Sequence, residues 1–285
     1  MINKRKAIIY IGFGELYVVM ALLSIKTLRK IDKETKVYLI TNINFDPINI
    51  EYWIKDRDEI LYFPDASTNN RTYKTSLNKY IEEEKVVFFD CDTLILSKFD
   101  IAWSFLDYFD IALKMNPVKQ KKMGKGDVSI LNKKYLIRDI PHFNSGVIFF
   151  KKSDLIDEFF KLWNQFYKKN NIQYDQVGLM ESLFLSKLRI LPLTEEWNYF
   201  PDINFFKGKV KKPIILHYTN RISYFIENEL IKIARLTKFD LYEIKNQINK
   251  KRSERKLKIG RFEWFKLRLI WRFLYKTEKK RLNLS

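Results

Sequence analysis

The stretch VVFFDCDTLIL, residues 86–96, decides how the rest of the chain is read. Four apolar residues lead to Asp90, Cys91 and Asp92, and an apolar run then resumes. Successive side chains of a strand alternate between faces, so the pattern predicts Asp90 and Asp92 on one side and Cys91 on the other. An ionised carboxylate is costly to bury without a partner, and two together cost more. Two carboxylates converging at a strand end suit a hard divalent cation such as Mn²⁺ or Mg²⁺, which would bridge to a phosphate-bearing substrate. The plainer alternative is that Asp90 caps the next element and Asp92 is solvated.

The flanking sequence supplies the frame for this strand. Residues 6–11 (KAIIYI) read as a buried strand, Gly12-Phe13-Gly14 as a turn, residues 15–30 as a helix and residues 36–41 (KVYLIT) as a second strand. Short apolar runs of this kind belong to a parallel sheet covered on both faces. Residues 59–63 (EILYF) read as a third strand, and residues 71–82 as a helix leading into strand 86–90. FDIAL (109–113) and FNSGVIFFKKS (143–153) read as strands, separated by a basic loop KQKKMGKG (119–126). An aromatic-rich helix, a second helical stretch YDQVGLMESLFLSKL, the irregular LPLTEEWNY and a late strand PIILHYT (213–219) follow. The alternation predicts an α/β fold, a mainly parallel sheet flanked by helices. Ligands of such sheets bind beyond the carboxyl ends of the strands, where Asp90 and Asp92 fall.

The basic INKRK and apolar AIIYIGFGELYVVMALLSI at the amino end also fit a signal or anchor. Glu15 argues against that, because a charge in mid-segment costs about 2.5–3.5 kcal/mol on insertion scales. The strand–turn–helix reading is preferred.

Composition narrows the partners. The chain of 285 residues carries a formal net charge of +19, which favours anionic ligands. Its one cysteine, Cys91, allows no internal disulfide and excludes cysteine-rich zinc sites. Between Lys250 and Arg281 there are 14 Lys and Arg against three Glu, so the tail holds more than half of the excess. In residues 258–276, predicted helical, Arg261, Arg268, Arg272 and Lys276 form one stripe. Phe262, Leu269, Ile270, Trp271, Phe273 and Leu274 fall opposite. This pattern suits a helix lying on an anionic membrane surface. The division expected is a domain over 1–245 and a basic tail over 246–285. No nucleic-acid-binding motif accompanies the charge.

D-x-D after an apolar strand also occurs in phosphatases of the haloacid dehalogenase type. There a spacer precedes the Thr, whereas Thr93 follows Asp92 directly, and about 85 residues of α/β structure precede this motif. A nucleotidyltransferase would need a longer first loop than GFGE. A non-catalytic membrane-binding module would have no use for Asp90 and Asp92.

VVFFDCDTLIL, FNSGVIFF, YDQVGLMESLF, WNY and IILHYTN, in that order, resemble the GT-A type glycosyltransferases, especially family 8 and its relatives. The resemblance covers roughly residues 5–225. It implies a metal-dependent transferase that takes a hexose from a nucleotide diphosphate sugar, with UDP favoured, to a glycan or glycolipid hydroxyl, with retention. It implies that Asp90, Cys91 and Asp92 form the motif holding Mn²⁺ (or Mg²⁺) against the donor diphosphate, with His217 as third ligand. Lys74 and Arg71 then stand on the donor side, where a cation stabilises departing phosphate charge. Asn144 and Ser145 contact sugar, and Gly146 lets backbone come close to the ligand. Asp175 and Gln176 face the reacting sugar. Gly12, Phe13 and Gly14 meet base and ribose, with Thr41 and Asn42 beside them. The lysines of 119–126 would suit a diphosphate. His142 matches no part of the pattern and is expected to be structural. A transferase of this kind is expected in the cytoplasm, held by its tail at the inner face of the membrane where a lipid-linked acceptor lies.

Overall fold

The computed structural model describes residues 6–64, 70–116, 142–169, 175–200, 212–218 and 222–256. The basic loop 119–126 and the tail segment 258–276 lie outside the described residues.

The chain opens with β1 (Lys6–Gly12), α1 (Glu15–Arg29) and β2 (Lys36–Thr41), as the apolar runs predict. β3 (Glu59–Tyr62), the four-residue helix α2 (Arg71–Lys74) and β4 (Lys85–Phe89) follow. Next come β5 (Thr93–Ile95), α3 (Ile101–Tyr108), β6 (Ile111–Asn116) and β7 (His142–Lys151). The second half adds α4 (Asp154–Lys169), α5 (Asp175–Leu185), β8 (Ile190–Leu193) and β9 (Ile215–His217). Helices α6 (Tyr224–Leu236) and α7 (Leu241–Lys256) end the described chain.

Seven strands form one sheet in the order β3-β2-β1-β4-β7-β6-β8. The left half is parallel, β7 runs antiparallel to both β4 and β6, and β8 is parallel to β6. The order reverses between β1 and β4, because β2 and β3 lie to one side of β1 and β4 to the other. Open α/β sheets place ligands at the carboxyl ends of strands beside such a reversal.

Strand alternation builds a core on each face. Ile8 and Tyr10 of β1, Leu39 of β2 and Phe89 of β4 join α1, α6 and α7 on one face. Ala7, Ile9 and Ile11 of β1, Ile40 of β2 and Phe88 of β4 join α4 and α5 on the other. A strand buried on both faces has no polar side, hence the unbroken apolar runs. α7 contributes Ile244 and Ile248, both fully buried, to the first core, so the boundary at 245/246 falls within a packed helix.

The structure corrects several sequence expectations. β4 stops at Phe89, and β5 leaves it to pair with β9 in a separate two-stranded sheet. Residues 71–82 are not one helix: α2 ends at Lys74 and a 3-10 turn covers Leu77–Tyr80. The hydroxyls of Thr75 and Ser76 donate to the carbonyl of Thr72, the local bonding by which Ser and Thr compete with helix. LPLTEEWNY is not irregular throughout: its first residues belong to β8, followed by a 3-10 turn over Glu195–Asn198. Pro192 is tolerated in β8 because that strand is a sheet edge.

Candidate active site

The site forms where β4 hands over to β5. Asp90 continues the ladder by one bond, donating its N–H to Gly146 O at 2.8 Å. It lies on the Phe88 side, facing α5. The Asp90-Cys91-Asp92 turn is then closed by Thr93, whose hydroxyl donates to Asp90 O at 2.8 Å. β5 pairs with β9 so that Thr93 faces His217, and Tyr218 N–H donates to Asp92 O at 3.0 Å. A turn and a second sheet, rather than one strand's alternation, therefore bring the acidic pair and the histidine together.

His217 Nε2 lies 3.0 Å from Asp92 Oδ1 and 3.9 Å from Asp90 Oδ2. Ligand atoms of the three residues all lie within 4.8 Å of one another. Phe200 packs against the imidazole, 4.4 Å between centroids with the rings tilted by 30°. Two carboxylates and one imidazole nitrogen, converging at this spacing, are a donor set that fits Mn²⁺ or Mg²⁺.

Gly146 has a more specific role than free backbone approach. A Cβ there would fall 2.5 Å from His217 Cε1 and 2.8 Å from Asp90 Oδ2. The absent side chain makes room for the site's own residues.

On the other side of Asp90 the contacts are ionic. Lys74 Nζ donates to Asp90 Oδ1 at 2.9 Å and stands 3.4 Å from Asp175 Oδ2. Asp175 opens α5, and its Oδ2 also accepts from Ser145 Oγ at 2.8 Å. Arg71 Nε lies 3.7 Å from Asp175 Oδ1. Trp163 of α4 donates its indole N–H to Asp175 O, fixing the start of α5.

Electrostatics follow from these neighbours. Burial pushes the Asp90 carboxyl above its usual range, against the pull of Lys74 and His217, and the charge of Asp92 adds to the rise. Burial also acts to raise Asp92, but the charge and hydrogen bond of His217 outweigh it and hold that carboxyl low. Asp175 is held low in the same way, with Lys74, Ser145 and Arg71 overcoming burial. Burial works against charge on Lys74, and Asp175 and Asp90 more than restore it.

Gly14 adopts φ +83°, a conformation suited to glycine, and its N–H donates to Asn42 Oδ1 at 2.8 Å. Thr41 is fully buried, and its hydroxyl accepts from Ile43 N–H. Gly12 packs under the first turn of α1, where a Cβ would meet Tyr17 O at 3.0 Å. Phe13 is buried edge-on against Tyr73, 5.0 Å between centroids, so its ring belongs to the core. The Cys91 side chain also packs in the core and stays out of the Asp-Asp-His group. Asn144 is half-buried beside Gly146, and Gln176 is half-buried in the first turn of α5. His142 begins β7, away from the group.

Sequence reasoning missed three contributors. Asn198, within the quoted WNY, is fully buried and its Oδ1 lies 2.9 Å from His217 Nδ1. Thr93 closes the acidic turn. Lys251 of α7 donates to Tyr17 Oη at 2.9 Å and helps to hold the Asp92 carboxyl low. Only the tryptophan-asparagine pair carried a visible signal; the reach of Lys251 depends on tertiary packing.

No protein-family model and no curated protein sequence matches the chain. Solved structures do match. A galactosyltransferase, LgtC, in complex with donor and acceptor sugar analogs has a TM-score of 0.57 at 13% identity, covering 81% of this chain and 95% of that one. The bifunctional glycosyltransferase WbbM has a TM-score of 0.56 at 17% identity, covering 86% of this chain and 52% of its own. The apo glycosyltransferase GlyE of Streptococcus pneumoniae TIGR4 has a TM-score of 0.54 at 15% identity, covering 87% and 64%. This chain thus spans most of LgtC but only about half to two thirds of the other two. The fold is that of the GT-A type glycosyltransferases.

Proposed function

We propose that this chain is a metal-dependent glycosyltransferase of the family 8 kind. It moves a hexose from a nucleotide diphosphate sugar, UDP-linked in the first instance, to a hydroxyl of a glycan or glycolipid, with retention. Cell-surface polysaccharide or lipopolysaccharide synthesis is the setting. The observation that carries this reading is the convergence of Asp90, Asp92 and His217 at the carboxyl end of β4, beside the sheet's reversal point.

Asp90, Asp92 and His217 would hold Mn²⁺ or Mg²⁺, which when bound supplies Lewis acidity toward the departing diphosphate. Lys74 keeps a proton on Nζ at the same carboxylate and adds a fixed positive charge on the donor side. Asp175 stays ionised between Lys74, Arg71 and the Ser145 hydroxyl. A carboxylate held by two cations and a donor is a weak nucleophile but keeps lone pairs that accept, so Asp175 binds and orients a sugar hydroxyl. Gln176 and Asn144 offer amide groups to the same sugar. Gly12, Gly14 and Asn42 shape the loop that receives base and ribose.

Among the described residues, no helix is long and apolar enough to cross a membrane. The basic tail is the part proposed to hold the enzyme at the inner, cytoplasmic face of the membrane, beside a lipid-linked acceptor.

A panel of sugar nucleotides, incubated with Mn²⁺ or with a chelator, tests the activity. The reading predicts release of nucleoside diphosphate from one donor, only with metal, with an α-to-α relation between donor and product seen by NMR. Phosphate release from sugar phosphates, without turnover of any sugar nucleotide, would replace it with the phosphatase.

A further inference from the structure

The wall behind His217 is a chain of amides whose direction is fixed by backbone. Asn144 Oδ1 accepts from Gly146 N–H at 2.8 Å and from Asn198 Nδ2–H at 2.8 Å. A backbone N–H can only donate, so the Asn144 atom facing it is oxygen. An oxygen can only accept, so Asn198 must turn its NH₂ toward it. The Asn198 oxygen then faces His217, 2.9 Å from Nδ1. Two acceptors do not bond, so Nδ1 carries a hydrogen. Asn198 is fully buried and His217 nearly so, which leaves little room for water to replace either partner.

We propose that Asn198 is a positioning residue that holds a hydrogen on His217 Nδ1, so that Nε2, whose hydrogen faces Asp92 at 3.0 Å, is the nitrogen that would give up its hydrogen and take the cation. The role rests on the cation site proposed above. A metal-binding imidazole needs its other nitrogen anchored, both to set the tautomer and to hold the ring plane. Here the anchor runs from Gly146 through Asn144 and Asn198, and Phe200 holds the ring from one face. Gly146 serves twice: its N–H starts the chain, and its missing Cβ admits the imidazole.

Nitrogen NMR of the imidazoles tests this in the metal-free full chain. The protein has two histidines, so ¹⁵N-histidine labelling gives two ring systems, and His142→Gln assigns them. The expected result is a protonated, pyrrole-type Nδ1 on His217. In Asn198→Ala only the Nε2 hydrogen, which Asp92 accepts, should be kept, and Nδ1 should become pyridine-type. Asn198→Asp, which keeps an acceptor at that place, should keep the hydrogen on Nδ1. Affinity for Mn²⁺ should fall about 10–100-fold in Asn198→Ala, with only part of it recovered in Asn198→Asp, which keeps the acceptor for Nδ1 but loses the donor to Asn144.

A pyridine-type Nδ1 in the wild type, or an Nδ1 unchanged in folded Asn198→Ala, overturns the proposal. If Asn198→Ala does not fold, Asn144→Ala serves instead, since it frees the Asn198 amide to turn over; two His217 tautomers are then expected, and one unchanged tautomer counts against the chain. Titrating Mn²⁺ into the same samples separates the two readings. Mn²⁺ bound with a bare Nδ1 overturns the positioning role alone. A hydrogen on Nδ1 with no Mn²⁺ bound overturns the cation site on which that role rests.

Discussion

Asp90 stands between two walls of opposite character. One wall is ionic: Lys74, Asp175 and Arg71, with Ser145 among them. The other is built of amides: His217 backed by Asn198, Asn144 and the Gly146 backbone. Charged side chains adjust to a ligand's charge, and the Arg71 side chain is 40% exposed. A chain of amides holds geometry but supplies no charge. The contrast assigns substrate electrostatics to the first wall and ligand placement to the second.

His217→Ala should abolish metal-dependent turnover. Losing a ligand atom outright should exceed the roughly 10–100-fold loss seen when only the support of a ligand is removed. Direct Mn²⁺ titration checks it, and affinity retained within a few-fold would dissolve the amide wall's role. Gly146→Ala should come next. Its Cβ would displace His217 or Asp90, so Mn²⁺ affinity should fall, and overpacking of this kind costs about 1–3 kcal/mol, visible as a lower melting temperature.

Lys74→Met leaves Asp90 and Asp175 facing one another without their shared cation. The turnover number should fall about 10²–10³-fold, as for loss of one preorganised charge donor, while Mn²⁺ affinity falls far less. The same variant should shift acid unfolding. Asp175 has a folded pKa below its ordinary 3.8, because Lys74, Ser145 and Arg71 overcome burial. A depressed carboxyl contributes stability that is present above about pH 4 and is lost as pH falls through the folded value. Without Lys74 that value rises, so the acid midpoint should move to higher pH. Arg71→Ala should do least. Its side chain is exposed and its 3.7 Å contact is long, and pairs of that kind are worth about 0.2–1 kcal/mol, a change of no more than about five-fold.

The same contrast explains what the sequence disclosed. β1, α1, β2 and β4 were legible because strands buried on both faces must be apolar without interruption, as KAIIYI and VVFF are. Asp90 and Asp92 were legible because charges at the end of such a strand demand a reason, whereas Lys74 and Asp175 were named only through the family resemblance. β5 escaped, since Thr93-Leu94-Ile95 reads as more of the same strand and only β9 draws it into another sheet. Asn198 escaped because an amide has no charge to betray its burial. Its function depends on which atoms face Asn144 and His217, 54 and 19 residues away.

Isothermal titration of UDP, with and without Mn²⁺, on the wild type and on Asp92→Ala, puts the proposed donor site to trial. Binding that requires Mn²⁺ and disappears in Asp92→Ala is the predicted result. UDP bound equally well without metal and in Asp92→Ala, or no nucleoside diphosphate bound in any condition, would contradict a cation held by Asp90, Asp92 and His217 as the seat of the donor diphosphate.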